Sequence, residues 1–92
     1  MDKNLVSVVI PAYNSPDYTR KTIESVIAQT HRPIEIILSD DNSPISLKPL
    51  VDEKQPYCSP DLKIKYYRQK ENLNYYFNLQ FVLSEAVGKY VV

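Results

Sequence analysis

Two stretches of this sequence carry side chains that could do chemistry together: "PAYN" at 11–14 and "DDNS" at 40–43. The first offers an aromatic ring, Tyr13, and an amide, Asn14. The second offers two adjacent carboxylates, Asp40 and Asp41. An aromatic face can stack on a heterocyclic base, and an ionised carboxylate, which only accepts hydrogen bonds, can take an imino N–H from the edge of that base. Such a pair recognises a nucleoside without cradling its phosphates. A phosphate cradle needs glycines so that backbone N–H groups can approach closely, and the single glycine here is Gly88. Dinucleotide-binding and P-loop readings therefore fail, and phosphates would need a cation, usually a divalent metal on carboxylates.

Both stretches end apolar runs, which fixes how they are held. Residues 5–10 and 34–38 are rich in Val and Ile and predict two buried strands. Between them Ser15 offers an N-cap oxygen, Pro16 suits the first helical position and Asp17 suits the positive first turn. A helix to about residue 29 follows, with Tyr18, Thr22, Ile23, Val26 and Ile27 as its inward stripe. Leu47, Leu50, Val51 and Lys54 mark a shorter second helix. Residues 62–67 alternate apolar with polar, as a wetter edge strand would. After a turn at 72–74, residues 75–87 predict a third helix with Phe77, Phe81 and Ala86 facing inward and Gly88 as its C′ residue. Residues 89–92 open a fourth strand.

Strand and helix alternate throughout, which calls for right-handed crossovers in a parallel sheet. The expected fold class is α/β, a Rossmann-like open, mostly parallel sheet with strand order 3-2-1-4. Ligands of such sheets sit outside the carboxyl ends of the strands where the order reverses. Pro11, Ala12, Tyr13 and Asn14 leave strand one at that point, and Asp40 and Asp41 end its neighbour.

Composition excludes several alternatives. Lys plus Arg and Asp plus Glu are eleven each in 92 residues, so no overall field favours nucleic acid or an anionic surface. Cys58 is alone, which excludes an internal disulfide or a cysteine-rich zinc site. The polar start is no signal peptide, and no apolar run reaches the roughly 18 residues of a spanning helix. The expected setting is cytoplasmic, with membrane association left open for a full-length protein. His31 reads as a solvated loop residue.

The motifs together resemble family 2 inverting glycosyltransferases of the GT-A fold. In that family a strand ending in Pro-x-Tyr-Asn precedes a helix with Ser-(Val/Ile/Leu)-x-x-Gln-Thr and a strand ending in Asp-Asp-x-Ser. Here these are Pro11-Ala12-Tyr13-Asn14, Ser25-Val26-Ile27-Ala28-Gln29-Thr30 and Asp40-Asp41-Asn42-Ser43. "ENLN" at 71–74 and "GKYVV" at 88–92 are similar to the later Asn-Leu-Gly turn and Gly-(Glu/Lys)-Tyr strand. Asn74 stands where the glycine is usual, which Asn tolerates because it also visits positive φ. Leu79-Gln80 stands where an Arg-Asn pair is common.

The resemblance implies that residues 1–92 form the N-terminal, donor-nucleotide-binding portion of a GT-A domain, incomplete at the C-terminus and inactive alone. The full protein would transfer a sugar, with inversion, from a nucleotide-sugar donor of the UDP type to a glycan or lipid-linked acceptor hydroxyl, as in polysaccharide or glycoconjugate biosynthesis. Mg²⁺ or Mn²⁺ would be held by an Asp-x-Asp motif beyond Val92, so no catalytic or metal residue is expected here. Pro11, Ala12, Tyr13, Asn14, Asp40, Asp41 and Asn72 are the nucleotide-binding candidates, with Asp41 on the imino N–H and Asp40 supporting the rim, an assignment the two carboxylates could exchange. Bland roles stand beside these: a turn and cap for 40–43, packing for Tyr13, a helix cap for Asn14, a turn for Asn72. A non-catalytic α/β interaction module is the alternative for the whole.

Overall fold

The computed structural model describes residues 4–88 and 90–92, so the expectations for residues 1–3 and for Lys89 lie outside the described residues. The chain runs β1 (Val6–Ala12), α1 (Pro16–Ile27), β2 (Ile34–Asp40), α2 (Lys48–Lys54), a short 3₁₀ turn (Gln55–Tyr57), β3 (Leu62–Arg68), α3 (Asn74–Ser84) and β4 (Tyr90–Val91). The sheet order is β3-β2-β1-β4 and every pair of neighbours is parallel. The α/β architecture and strand order read from the sequence are those observed.

All seven residues of β2 are buried, as its position inside the sheet requires. Side chains alternate along it, so Ile34, Ile36 and Leu38 face α1 and α2 and join a core with Ile10, Ile23, Val26, Leu50, Val51 and Leu62. Glu35, Ile37 and Ser39 face the other way. That second face is covered by α3, which packs on β1 and β2.

Helix α1 turns most of the expected stripe inward, with Ile27 packed against the core, but Thr19 stands in place of the expected Tyr18. Thr19, Ile23 and Val26 are buried, whereas Tyr18 is 74% exposed. The spacing i, i+4, i+7 is satisfied starting one residue later, because the β-branched Thr19 fits against the sheet where the Tyr18 ring does not. Ser15 precedes the helix as expected, yet its hydroxyl donates to Tyr13 O at 3.2 Å and caps no helical N–H. Arg32 closes the far end: its guanidinium donates to the carbonyls of Ile27, Gln29 and His31 at 2.7–2.8 Å, supplying donors and positive charge where the helix needs both. His31 is exposed, with Nε2 3.1 Å from Asn4 O.

Helix α3 ends at Ser84, and Gly88 is not its C′ residue. Its inward residues are Asn78 and Val82, while Phe77 is 54% exposed and Phe81 packs edge-on against Tyr67. Gly88 instead lies against β1, where its N–H donates to Ser7 Oγ at 2.8 Å. Ser7 Oγ in turn donates to Glu35 Oε2, which also accepts the Val87 N–H at 2.9 Å, and Lys65 Nζ reaches Glu35 Oε1 at 2.8 Å. A carboxylate 3% exposed is thus paired and fully hydrogen-bonded, the condition for burying a charge.

Burial alone would raise the Glu35 carboxyl, but Lys65, Ser7 and Val87 outweigh it and hold it below its ordinary value of 4.5. A depressed carboxyl binds its proton later in the folded chain than in the unfolded one, so its stabilisation is present above 4.5 and lost as pH falls through the lower folded value. Urea midpoints are therefore expected to be flat above about pH 5 and to fall below it. Glu35→Gln should be less stable at neutral pH and show a shallower acid slope. An unchanged slope in that variant would assign the acid sensitivity elsewhere.

Candidate functional site

The rim is the carboxyl end of β1 and β2, where Pro11 pairs with Ser39 and Ala12 with Asp40. Pairing continues past the strand, as the Asp41 N–H donates to Ala12 O at 2.9 Å. Two asparagines then take positive φ, Asn14 at 48° and Asn42 at 61°, bending both segments sharply. The Asn14 N–H donates to Ser43 Oγ at 2.8 Å, which stitches one loop to the other.

The adjacent carboxylates have separate fates. Asp40 is the last residue of β2 and shares the face of Ile36 and Leu38, so its side chain enters the layer between sheet and helices. It is fully buried. Oδ1 accepts the Ser43 N–H at 2.9 Å, and Oδ2 accepts the Leu47 N–H at 3.0 Å and the Tyr66 O–H at 2.8 Å. Burial pushes this carboxyl up, but the bonds from Ser43, Leu47 and Tyr66 prevail and keep it below its ordinary value. Arg68 adds a charge 3.7 Å from Oδ2 and donates to Ser43 O at 2.7 Å. Asp40 therefore shapes the 40–47 loop and has no oxygen to give a ligand, which corrects its placement among contact residues.

Asp41 leaves the strand toward α3. Its Oδ1 accepts the Leu73 N–H at 2.6 Å, and Asn72 Nδ2 donates to its carbonyl at 3.3 Å. Its Oδ2 takes no hydrogen bond among the described residues. No fully buried side-chain oxygen or nitrogen among them lacks a partner, so Oδ2 is open to solvent although the residue is only 3% exposed.

Asp41 lines a cavity of about 250 Å³ together with Pro11, Ala12, Tyr13, Asn72, Asn74, Tyr75 and Asn78. Five of the seven residues named from the sequence meet there. Asn14 does not line it, and acts through its bond to Ser43. The sequence reading missed Asn74, Tyr75 and Asn78, which the first turns of α3 bring to the rim. Asn78 is fixed by Ser39, whose carbonyl accepts from Nδ2 at 3.0 Å and whose hydroxyl donates to Oδ1. Tyr13 and Tyr75 are 49% and 69% exposed, leaving ring surface free.

A larger cavity, about 360 Å³, lies at the opposite end of the sheet among Leu5, Pro33, Pro60 and Val87. Of its two carboxylates, Glu35 is consumed by Lys65, Ser7 and Val87 and Asp61 is exposed in a turn, so the smaller cavity, with its buried Asp41, is the better candidate for chemistry. No group of three or more His, Cys, Asp or Glu among the described residues could hold a metal ion, and Asp40 offers no free oxygen beside Asp41.

This geometry coincides with a match to known proteins. The profile described as "Glycosyl transferase family 2" covers residues 7–92. The chain belongs to glycosyl transferase family 2. Among its relatives, a Rickettsia felis protein described as an uncharacterized glycosyltransferase is 35% identical over 94% of the chain and 14% of that protein. Bacillus subtilis TuaG, whose name assigns it provisionally to teichuronic acid biosynthesis as a glycosyltransferase, is 35% identical over 97% of the chain and 34% of its own length. A Haemophilus influenzae uncharacterized glycosyltransferase is 36% identical over 94% of the chain and 26% of its length. This family 2 chain thus spans about a third or less of each of these relatives. No helix among its described residues is long and apolar enough to cross a membrane.

Proposed function

We propose that this family 2 chain recognises the nucleoside of a nucleotide-sugar donor, and that the whole protein transfers the sugar to an acceptor hydroxyl with inversion. The observation that supports it best is the buried Asp41 carboxylate, one oxygen anchored on Leu73 and the other without a hydrogen-bond partner among the described residues, in a residue that lines the same cavity as Tyr13. Tyr13 would stack on the base and Asp41 Oδ2 would accept its imino N–H. Pro11 and Ala12 line the site, Asn72 orients Asp41, and Asn14 and Asp40 hold the loops. An acceptor aimed at an imino hydrogen favours a base that carries one, such as uracil, over cytosine or adenine, and the donor proposed is a UDP-sugar.

The described residues do not make a metal site. In this reading Mg²⁺ or Mn²⁺ on the donor diphosphate, the catalytic base and the acceptor site belong to parts of the longer protein outside residues 1–92, which alone transfer no sugar. The name of TuaG, which assigns that relative provisionally to teichuronic acid biosynthesis, supports a glycan acceptor; that the acceptor is free or lipid-linked and met in the cytoplasm or at its membrane face is part of the same proposal.

Asp41→Asn tests the reading. The change keeps size and replaces an acceptor with an amide, removing a charge-assisted bond worth roughly 1.5–3 kcal/mol, or about tenfold to over a hundredfold in affinity. Titration followed by backbone amide shifts should place uridine and uridine diphosphate near Tyr13 and Asp41, with similar affinity in the absence of metal. The variant should fold and bind both more weakly by that factor. Undiminished binding would return Asp41 to a turn-forming role.

A further inference from the structure

We propose that Asn74 is the specificity-determining residue of this site, selecting uracil over cytosine by donating a hydrogen bond beside the one that Asp41 accepts; the proposal rests on the nucleoside reading above. Asn74 opens α3 at φ 67°, a conformation glycine adopts without cost and other residues seldom do. Its Oδ1 accepts the N–H groups of Tyr76 at 3.1 Å and Phe77 at 3.4 Å, capping the helix. Capping explains only the carbonyl half of the side chain. Because two backbone N–H donors face that end, it must be the oxygen, and the other end is therefore the amide nitrogen with two N–H donors. Nδ2 has no partner among the described residues, and Asn74 lines the cavity.

The same short segment holds the acceptor. The Leu73 N–H fixes Asp41 Oδ1 at 2.6 Å, leaving Oδ2 open, and Asn74 is the next residue. Asp41 and Asn74 line the same cavity, so one acceptor and one donor, each held by bonds on its far end, serve a single site. The matching edge has an N–H next to a C=O. Uracil presents its N3–H and O4 in that order. Cytosine presents a bare N3 and an amino group, so the carboxylate meets a lone pair and the amide meets another donor. Uridine and cytidine have the same ring size and sugar, so stacking on Tyr13 or Tyr75 cancels in the comparison. A site built to hydrogen-bond an N–H discriminates strongly against an analogue lacking it, because its own polar groups are left unpaired.

The test compares dissociation constants for uridine and cytidine by amide-shift titration in the 92-residue chain and in two variants. Asn74→Gly keeps the positive φ without strain and removes the donor. Asn74→Asp keeps the capping oxygen and turns the donor into an acceptor, so it covers the case in which loss of the cap disturbs α3. The wild-type chain is expected to prefer uridine at least tenfold. Both variants should lose uridine affinity, while cytidine affinity changes little in Asn74→Gly and rises in Asn74→Asp, whose carboxylate can accept from the cytosine amino group, lowering the preference about fivefold or more. A preference maintained in both variants overturns the role of Asn74. Equal binding of the two nucleosides near Tyr13 and Asp41 also overturns it while leaving the nucleoside reading intact, whereas no binding of either removes both.

Discussion

Asp40→Ala is expected to cost the chain about 3–5 kcal/mol, against the roughly 5–15 kcal/mol that a domain has in total. The residue is fully buried, and truncation leaves the N–H groups of Ser43 and Leu47 without an acceptor and the O–H of Tyr66 with only Ser46 Oγ, 3.1 Å away. Each such orphan costs about 1–3 kcal/mol, and the Arg68 charge 3.7 Å away loses its partner as well. Asp40→Asn should rescue little, because one of its two ends becomes a donor facing donors. Urea unfolding at neutral pH measures the loss. A cost below about 1 kcal/mol would mean that the loop is held without Asp40. The neighbouring Asp41→Asn should show the opposite pattern, near-normal stability with impaired binding, so the two carboxylates are separable by experiment as they are by geometry.

That separation was partly legible in the sequence. The alternation Ile34, Ile36, Leu38 already places Asp40 on the core face of β2 and turns Asp41 out of it, by the period of two that governs any strand. The adjacent pair in "DDNS" by itself leaves open which carboxylate meets the base and which supports the rim. The alternation of elements, the strand order and the rim at Pro11 to Tyr13 follow from composition and punctuation. The contribution of α3 does not. Its apolar residues Tyr75, Tyr76, Phe77, Leu79, Phe81, Val82 and Leu83 surround the helix with no single stripe, so the pattern cannot say which side meets the sheet. The side chosen is that of Asn78, a polar residue, because Ser39 offers it both a hydroxyl and a carbonyl across 39 positions of sequence. Asn74 and Tyr75 reach the cavity as a consequence of that non-local pairing. Asn74 had a local signal in its place at a glycine position, and its φ of 67° agrees with it.

Gly88 illustrates the same limit, since a glycine after an apolar helix suggests a stop signal, whereas here the demand is for space. A Cβ on Gly88 would lie 2.6 Å from Ser7 Oγ, 2.8 Å from Leu5 O and 2.9 Å from Ser7 N. Two of these three atoms are backbone, so no rotamer change relieves the contact. Gly88→Ala is expected to destabilise the chain by about 2–4 kcal/mol, combining overpacking with loss of the Gly88 to Ser7 bond and strain on the Glu35 network behind it. The damage should be local before it is global. β4 is tied to β1 by the Val9 N–H on Val92 O at 3.0 Å and the Val92 N–H on Ser7 O at 2.8 Å, immediately beyond the blocked position. Hydrogen exchange at the Val9 and Val92 amides should therefore accelerate more than at amides of the β2–β3 ladder, where the register is independent of Gly88. Adding Ser7→Ala should restore little, because it removes the hydroxyl but neither backbone atom. Wild-type exchange at Val9 and Val92 in the Gly88→Ala chain would show that the strand accommodates a methyl group, and that some residue other than Gly88 seats β4 beside the first half of β1.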